Sequence, residues 1–354
     1  MRVLVLGGSP RHFGGVETFC TRAVQALADH FPALSVRHAG TYTAYLSART
    51  LSQLLGGIAG VARFRLGGHG VVWLQYVNLP DLAYILVARA LGLRVMVTPH
   101  LGSNWRSQRD PRLRALSRSL LGRAQRIALL APTQAEEVAL PGRVPQSAVS
   151  TFLPAEVLLP VPRAAQTGPL RLLHASRLSR EKGTFKVVEV AAALRDRGVP
   201  FTLEIAGGAD EATFVALRAL IAAHDLAAHV HLTGWIEPAA LMERLRVSDV
   251  LVHLSTIDSY PLIVLEALAC GMFPIALDLA GARNIVGRFD GLIVDPAADI
   301  AQTAAFLATA EADDLRRRGQ AQSARVRESL GWQAAAAQLA QALQQTATDQ
   351  AVNA

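Results

Sequence analysis

The apolar positions of this chain fall into short runs separated by longer stretches of helical spacing. Runs bounded by glycine, proline or polar clusters lie at 2–6, 34–38, 71–74, 94–98 and 126–131. A second set lies at 170–175, 201–206, 229–232, 249–254, 273–276 and 291–294. These runs are rich in Val, Leu and Ile, as strands covered on both faces of a parallel sheet are. Between them, at 16–28, 82–91, 184–195 and 239–245, apolar residues recur every three or four positions. Strand and helix therefore alternate, which predicts the α/β class with two doubly wound parallel sheets.

The segment 153–169 separates the two sets. It holds Pro154, Pro160, Pro162 and Pro169 beside Gly168, the composition of a linker. The expected division is a domain at 1–160, a second at 161–331, and a last helix at 332–345. A chain of 354 residues is long enough for two such cores.

Composition narrows the function classes. Hydrophobic residues make up 51%, yet every long apolar stretch is broken by a charged or proline residue, so no membrane-spanning helix is expected. The chain runs straight into a strand with nothing resembling a signal peptide, and Cys20 and Cys270 are too few for a disulfide framework. A reducing, cytoplasmic location is expected. No Cys/His cluster has metal-ligand spacing and no loop carries D-x-D; neither metal nor cofactor is expected. The turn after 2–6 is not G-x-G-x-x-G, and no acid stands about 20 positions on at a strand end to hold a ribose, which disfavours a nicotinamide enzyme.

Charge is unevenly spread. Residues 1–160 hold 17 Arg against 7 Asp and Glu, a net +10, while the remainder holds 18 basic and 21 acidic residues, a net −3. Much of the excess is local: Arg106, Arg109, Arg112, Arg114, Arg118, Arg123 and Arg126 accompany only Asp110. Leu113, Leu116, Leu120, Ala124 and Ile127 recur among them at helical spacing. A basic amphipathic helix over 106–126 is expected, suited to an anionic membrane surface; a core-packed helix with a solvated Arg face reads the same way. No aromatics interleave with these arginines, so nucleic acid is not expected as a partner.

Four segments carry candidate chemistry. Asp258 and Glu266 lie eight positions apart, the first in a loop and the second in a helix expected to start near Pro261. A helix start with free N–H groups between two acids suits a phosphorylated sugar. Upstream, Arg177 and Lys182 follow the run at 170–173. Of 35 basic residues only Lys182 and Lys186 are lysine, and a compact ammonium binds phosphate where a planar guanidinium does not fit. Gly14 and Gly15 precede a helix and allow close backbone approach to an anion. His100 follows the run at 94–98, at a strand end where ligands of open α/β sheets gather.

These segments resemble the E-x7-E and R-x4-K motifs of the family-4 retaining glycosyltransferases, the glycosyl transferases group 1. Here the first acid is Asp258 rather than the usual Glu, one methylene shorter. The resemblance implies the GT-B architecture, two Rossmann-like domains facing a central cleft, with the last helix lying back on the first domain. It implies a nucleoside-diphosphate sugar as donor. Arg177, Lys182 and the helix start at Tyr260, Pro261 and Leu262 would hold the diphosphate, and Glu266 the ribose. Trp235 and Ile236 would lie near the base, and Asp258 and His100 would orient the sugar. Gly14 and Gly15 would meet the phosphates or the acceptor. The implied reaction is retaining, with the donor phosphate taking the acceptor proton. A lipid-linked or growing saccharide is the expected acceptor, in surface polysaccharide assembly. A nucleotide-sugar epimerase, a sugar phosphorylase and a non-catalytic nucleotide-sugar-binding partner subunit remain open alternatives.

Overall fold

The computed structural model describes residues 1–9, 14–43, 48–103, 105–159, 168–258 and 260–349. Part of the glycine turn at 10–13 and part of the linker, 160–167, lie outside the described residues, as do residues 104 and 259. The chain divides into two compact units, Met1–Phe152 with Leu330–Ala354, and Leu153–Ser329.

The first unit begins β1 (Arg2–Leu6), α1 (Gly15–His30), β2 (Ser35–Ala39), α2 (Ala48–Leu66), β3 (Val71–Tyr76) and α3 (Ala83–Ala90). It continues with β4 (Arg94–Pro99), α4 (Arg106–Arg109), α5 (Pro111–Leu121), β5 (Arg126–Leu129), α6 (Gln134–Glu137) and β6 (Gln146–Ala148). The second holds α7 (Ala155–Leu158), β7 (Leu170–Ala175), α8 (Thr184–Asp196), β8 (Phe201–Ala206), α9 (Glu211–Ala223) and β9 (Val230–Gly234). Then come α10 (Pro238–Val247), β10 (Val250–His253), α11 (Leu262–Ala269), β11 (Phe273–Leu277) and α12 (Ala280–Phe289). It closes with β12 (Leu292–Val294), α13 (Asp299–Thr309) and α14 (Ala312–Ser329), and α15 (Trp332–Thr348) returns to the first unit.

Both units are doubly wound. The first sheet has the order β2-β1-β3-β4-β5-β6 and the second β12-β11-β10-β7-β8-β9. All the pairings between these strands are parallel. Side chains alternate across a strand, and β1 shows the consequence. Leu4 and Leu6 join one core cluster, Val3 and Val5 the other, so both faces are covered. The face of Val3 and Val5 is closed by α1 and by Ala335, Ala336, Leu339, Ala340 and Leu343 of α15. Polar contacts pin that helix: Arg126 Nη2 to Asp349 Oδ2 at 2.7 Å and Ser150 Oγ to Gln338 Oε1 at 2.8 Å.

Three features differ from the sequence reading. The division falls at Phe152/Leu153 rather than at 160/161, because α7 packs within the second unit: Val157 is buried there and Arg246 Nη2 donates to the Glu156 carbonyl at 3.1 Å. β6 is an added edge strand whose three residues, Gln-Ser-Ala, carry no apolar run. The basic stretch 106–126 is not one helix. Asp110 accepts from the Arg112 and Leu113 amides and Pro111 opens α5, a capped fresh start, and Gly122 ends it. Arg126 is buried in β5. Among the described residues no helix is long and apolar enough to cross a membrane.

Candidate functional site

In the second sheet the strand order reverses between β7 and β10. The crevice at the carboxyl ends of two such strands is where open α/β sheets take their ligands. Both motifs start there: Arg177 and Lys182 follow β7, and Asp258 follows β10. The Lys182 ammonium donates to Asp258 Oδ1 and forms an ion pair with it. Their side chains are 18% and 21% exposed, so the pair is sheltered yet reachable.

The turn holding Lys182 is built locally. The Lys182 amide donates to Ser179 Oγ at 3.2 Å. Gly183 caps α8 in the left-handed region, φ +78°, where a Cβ would stand 2.3 Å from the Leu254 carbonyl oxygen. Only glycine fits that approach between the β7 turn and the strand-end loop after β10. His174, at the end of β7, is buried, and its pKa is pushed down to about 4 by burial. Its Nδ1 lies 3.0 Å from the Val252 carbonyl and its Nε2 3.0 Å from Thr184 Oγ1. A carbonyl only accepts, so the proton sits on Nδ1 and Nε2 accepts from the hydroxyl. Arg177 stands exposed beside this turn.

After β10 the chain enters α11 through Pro261 as its cap, one residue before the helix. Proline offers no side-chain acceptor, and with the Val264 amide donating to the Pro261 carbonyl at 3.1 Å, the Leu262 and Ile263 amides have no side-chain cap, an arrangement open to an anion. Pro261 is buried; Tyr260, Leu262 and Glu266 are half-buried. Leu262 and Glu266 are four apart and share a helix face. Burial pushes the Tyr260 hydroxyl up to about 12, against the opposing charge of Arg288, which leaves it a neutral donor. Asp258 meets opposing effects. Burial raises its pKa, but the His253 hydrogen bond, the His253 charge and Lys182 outweigh it and hold the carboxyl well below the usual range.

Trp235 and Ile236 follow β9. Trp235 is 66% exposed, and a Cβ on Gly208, past the end of β8, would lie 3.7 Å from its side chain; Ile236 is half-buried. β9 is two strands from β7, roughly 10 Å at ordinary strand spacing, a span that a ribose and base can cover.

The first unit has its own reversal, between β1 and β3. Gly7 there has φ +132° and lies where a Cβ would stand 2.6 Å from Gln75 Cβ. Gly8, at φ +59°, would put a Cβ 2.7 Å from Cys20 Sγ, so the conformational demand of the glycine turn falls on Gly7 and Gly8. Gly14, the extended cap of α1, and Gly15 are exposed, and a Cβ on Gly15 meets open space. His100 Nε2 contacts Gln75 Oε1 at 2.8 Å, its amide donates to Tyr76 O at 2.8 Å, and its ring meets Phe19 of α1 edge-on at 5.2 Å. Burial pushes its pKa down to about 3, so the ring is neutral. With Nε2 donating to the amide oxygen, Nδ1 is left as an acceptor.

Of the seven arginines expected on one face, Arg106, Arg109, Arg112, Arg114, Arg118 and Arg123 are exposed. Arg126 is excluded from that face by its ion pair with Asp349, a partner 223 positions away. Ile127 is a core residue of β5 and Leu116 is 47% exposed, so the apolar stripe is broken as well.

The spacing of the motifs did not single out His253. The signal available was a lone imidazole ending the otherwise apolar strand Val-Leu-Val-His. It donates from Nε2 to Asp258 Oδ2 at 2.9 Å and stacks on His174 with ring centroids 6.5 Å apart. A cation, its paired carboxylate and a helix start with no side-chain cap thus lie on the loops after β7 and β10, a combination suited to a phosphorylated ligand. Among the described residues no group of three or more His, Cys, Asp or Glu is placed to hold a metal ion.

Residues 160–327, the segment that holds Arg177, Lys182, Asp258 and Glu266, match the family model described as Glycosyl transferases group 1. Among curated proteins, the D-inositol 3-phosphate glycosyltransferase of Arthrobacter sp. (strain FB24) is 34% identical over 140 residues, 36% of this chain and 31% of that protein. The protein of the same name from Jonesia denitrificans is 33% identical over 130 residues, 35% and 30% of the two chains. The matches thus span less than a third of these relatives' length. Among solved structures, sucrose-phosphate synthase from Thermosynechococcus elongatus superposes with a TM-score of 0.74 at 19% identity, over 98% of this chain and 99% of that one. HepE from Anabaena, in complex with UDP, gives 0.73 at 17% identity, over 97% and 100%. The two units have the GT-B fold of these proteins.

Proposed function

We propose that this chain is a retaining, metal-independent glycosyltransferase. It moves a sugar from a nucleoside-diphosphate sugar to a saccharide or lipid-linked saccharide acceptor in surface polysaccharide assembly. The observation that carries the reading is the Lys182–Asp258 pair at the β7/β10 reversal, four residues before α11 begins. The diphosphate is the leaving group, and its developing charge needs preorganised cations or dipoles. Lys182, Arg177 and the start of α11 supply them. Glu266 takes the ribose hydroxyls, and Trp235 and Ile236 lie along the base. In the first unit, the neutral His100 offers Nδ1 to a sugar hydroxyl, and Gly14 and Gly15 leave backbone open to an anion. The leaving phosphate takes the acceptor proton. The similarity to D-inositol 3-phosphate glycosyltransferases and to HepE, solved in complex with UDP, supports this class of donor. The six exposed arginines of the first unit support docking on an anionic membrane surface.

A thermal-shift panel with UDP, GDP, ADP and dTDP tests the reading. At 100 times its dissociation constant a ligand adds about 2.7 kcal/mol of stability. One nucleotide should stand out, and its sugar ester should be slowly hydrolysed without acceptor. No response to any of the four would sink the proposal. Turnover of the nucleotide sugar to an isomer, or a requirement for inorganic phosphate, would instead identify an epimerase or a phosphorylase.

A further inference from the structure

We infer that His253 is a positioning residue of the donor site, holding one oxygen of Asp258 so that the other keeps the Lys182 ammonium in place for the diphosphate. This rests on the donor-site reading above.

The geometry assigns each atom. Asp258 Oδ1 accepts from Lys182 and Oδ2 accepts from His253 Nε2 at 2.9 Å. An ionised carboxylate only accepts, so the His253 proton lies on Nε2. The His253 side chain is 4% exposed, and its Nδ1 has no hydrogen-bond partner among the described residues. A buried imidazole with one unsatisfied nitrogen is unfavourable for folding alone; its bond to Asp258 is what offsets that burial. The ring cannot turn freely. It stacks on His174 at an interplanar angle of 23°, and His174 is itself fixed by the Val252 carbonyl and Thr184 at the start of α8.

The arrangement also adds to the role expected for Asp258. With one bond to each oxygen, the short carboxylate bridges His253 to Lys182, and a remaining lone pair can still take a sugar hydroxyl. Without His253, the carboxylate would be free to rotate about its terminal torsion, and Lys182, a flexible point charge, would lose its fixed acceptor.

A double-mutant cycle tests this, using whichever of UDP, GDP, ADP or dTDP most stabilises the unaltered protein. His253→Leu should weaken its binding about five- to tenfold, the scale of a coupled pair. In an Asp258→Asn background the same change should add less than about twofold. His253→Gln, which keeps an N–H donor, guards against a folding defect in His253→Leu and should bind within about threefold of the unaltered protein. Nitrogen-15 spectra of the imidazole give a readout that simple packing would not move: Nε2 should carry the proton, and the ring signals should shift in Asp258→Asn. Additive losses in the cycle, an Nε2 without a proton, or signals indifferent to Asp258→Asn would each overturn the inference. If no nucleotide binds the unaltered protein, the donor-site reading falls and takes this inference with it. If one binds and the cycle is additive, only the role of His253 falls.

Discussion

Lys182 and Asp258 are 76 positions apart in sequence and form an ion pair where the strand order of the second sheet reverses. Each arrives on a loop leaving a different buried strand, so the contact exists only once β7 and β10 lie side by side. The pair ties a cation to the loop that leads into α11, whose start has no side-chain cap, the combination proposed to hold the diphosphate.

Lys182→Ala should therefore reduce kcat/KM by about 2–4 kcal/mol of transition-state stabilisation, the scale of losing one preorganised donor. Lys182→Arg should not fully restore it, because a longer, planar guanidinium presents its charge at a different place from the compact ammonium. Steady-state kinetics on the responding nucleotide sugar check this. Near-normal turnover in Lys182→Ala would remove the residue from the mechanism.

Glu266→Gln should weaken nucleoside-diphosphate binding by about 1.5–3 kcal/mol, since a charged acceptor of the ribose diol becomes neutral. Inorganic pyrophosphate has no ribose, so its affinity should be the same in both proteins. Calorimetric titration with both ligands separates the outcomes. Equal losses for pyrophosphate and nucleotide would place Glu266 on the phosphates.

Two glycines should respond in opposite ways. Gly183→Ala forces a side chain into a left-handed position 2.3 Å from the Leu254 carbonyl oxygen; backbone strain alone is about 1–3 kcal/mol. Gly15→Ala enters open space in a helical first turn and should be neutral or stabilising by up to about 1 kcal/mol. Urea denaturation with matched m-values reads both. If Gly15→Ala nevertheless lowers activity, backbone access at that turn matters to function.

Stability should fall on mild acidification. His100 and His174 have pKa values pushed down to about 3 and about 4 by burial, against about 6.5 in an unfolded chain. The unfolded state takes up protons first as pH falls. The stabilising contribution is thus complete above about pH 6.5 and is lost progressively toward pH 4. For His174 alone the loss by pH 4 is on the order of 3 kcal/mol. Asp258, whose pKa is depressed, adds its own loss only below its unfolded value of about 3.9. Denaturant midpoints between pH 7 and 4.5 should decline, and His174→Asn should flatten the decline. A flat profile for the unaltered protein would contradict the neutral, buried state of both rings.

Replacing Arg112, Arg118 and Arg123 by Gln should reduce co-sedimentation with anionic vesicles. Each basic residue near such a surface contributes about 1 kcal/mol. Binding by the unaltered protein should weaken with salt, as the Debye length falls from about 10 Å at 0.1 M to about 3 Å at 1 M. Slow donor hydrolysis should persist in the triple variant, because none of the three arginines is among the residues proposed to hold the donor. Equal binding to neutral vesicles would show that these arginines are solvated surface only.

The strands of both sheets were legible along the chain because a buried parallel strand is a short apolar run wherever it occurs. β6 was not, since an edge strand of Gln-Ser-Ala carries no such signal. The break in the basic stretch was written locally in Asp110-Pro111, yet the periodicity of the leucines obscured it. The residue types suited to a phosphorylated ligand, Lys182 and the acids at 258 and 266, were legible from their spacing, as was the helix start near Pro261. Spacing cannot state which groups meet across the sheet. That Asp258 gives one oxygen to Lys182 and the other to His253, that Arg126 turns inward to Asp349, and that Gly7 and Gly8 rather than Gly14 bear the tight approach were decided by tertiary structure alone. The physical reason is the same each time: propensity and periodicity act over a few neighbouring residues, whereas hydrogen bonds and ion pairs depend on which strands lie side by side and how deeply each side chain is buried.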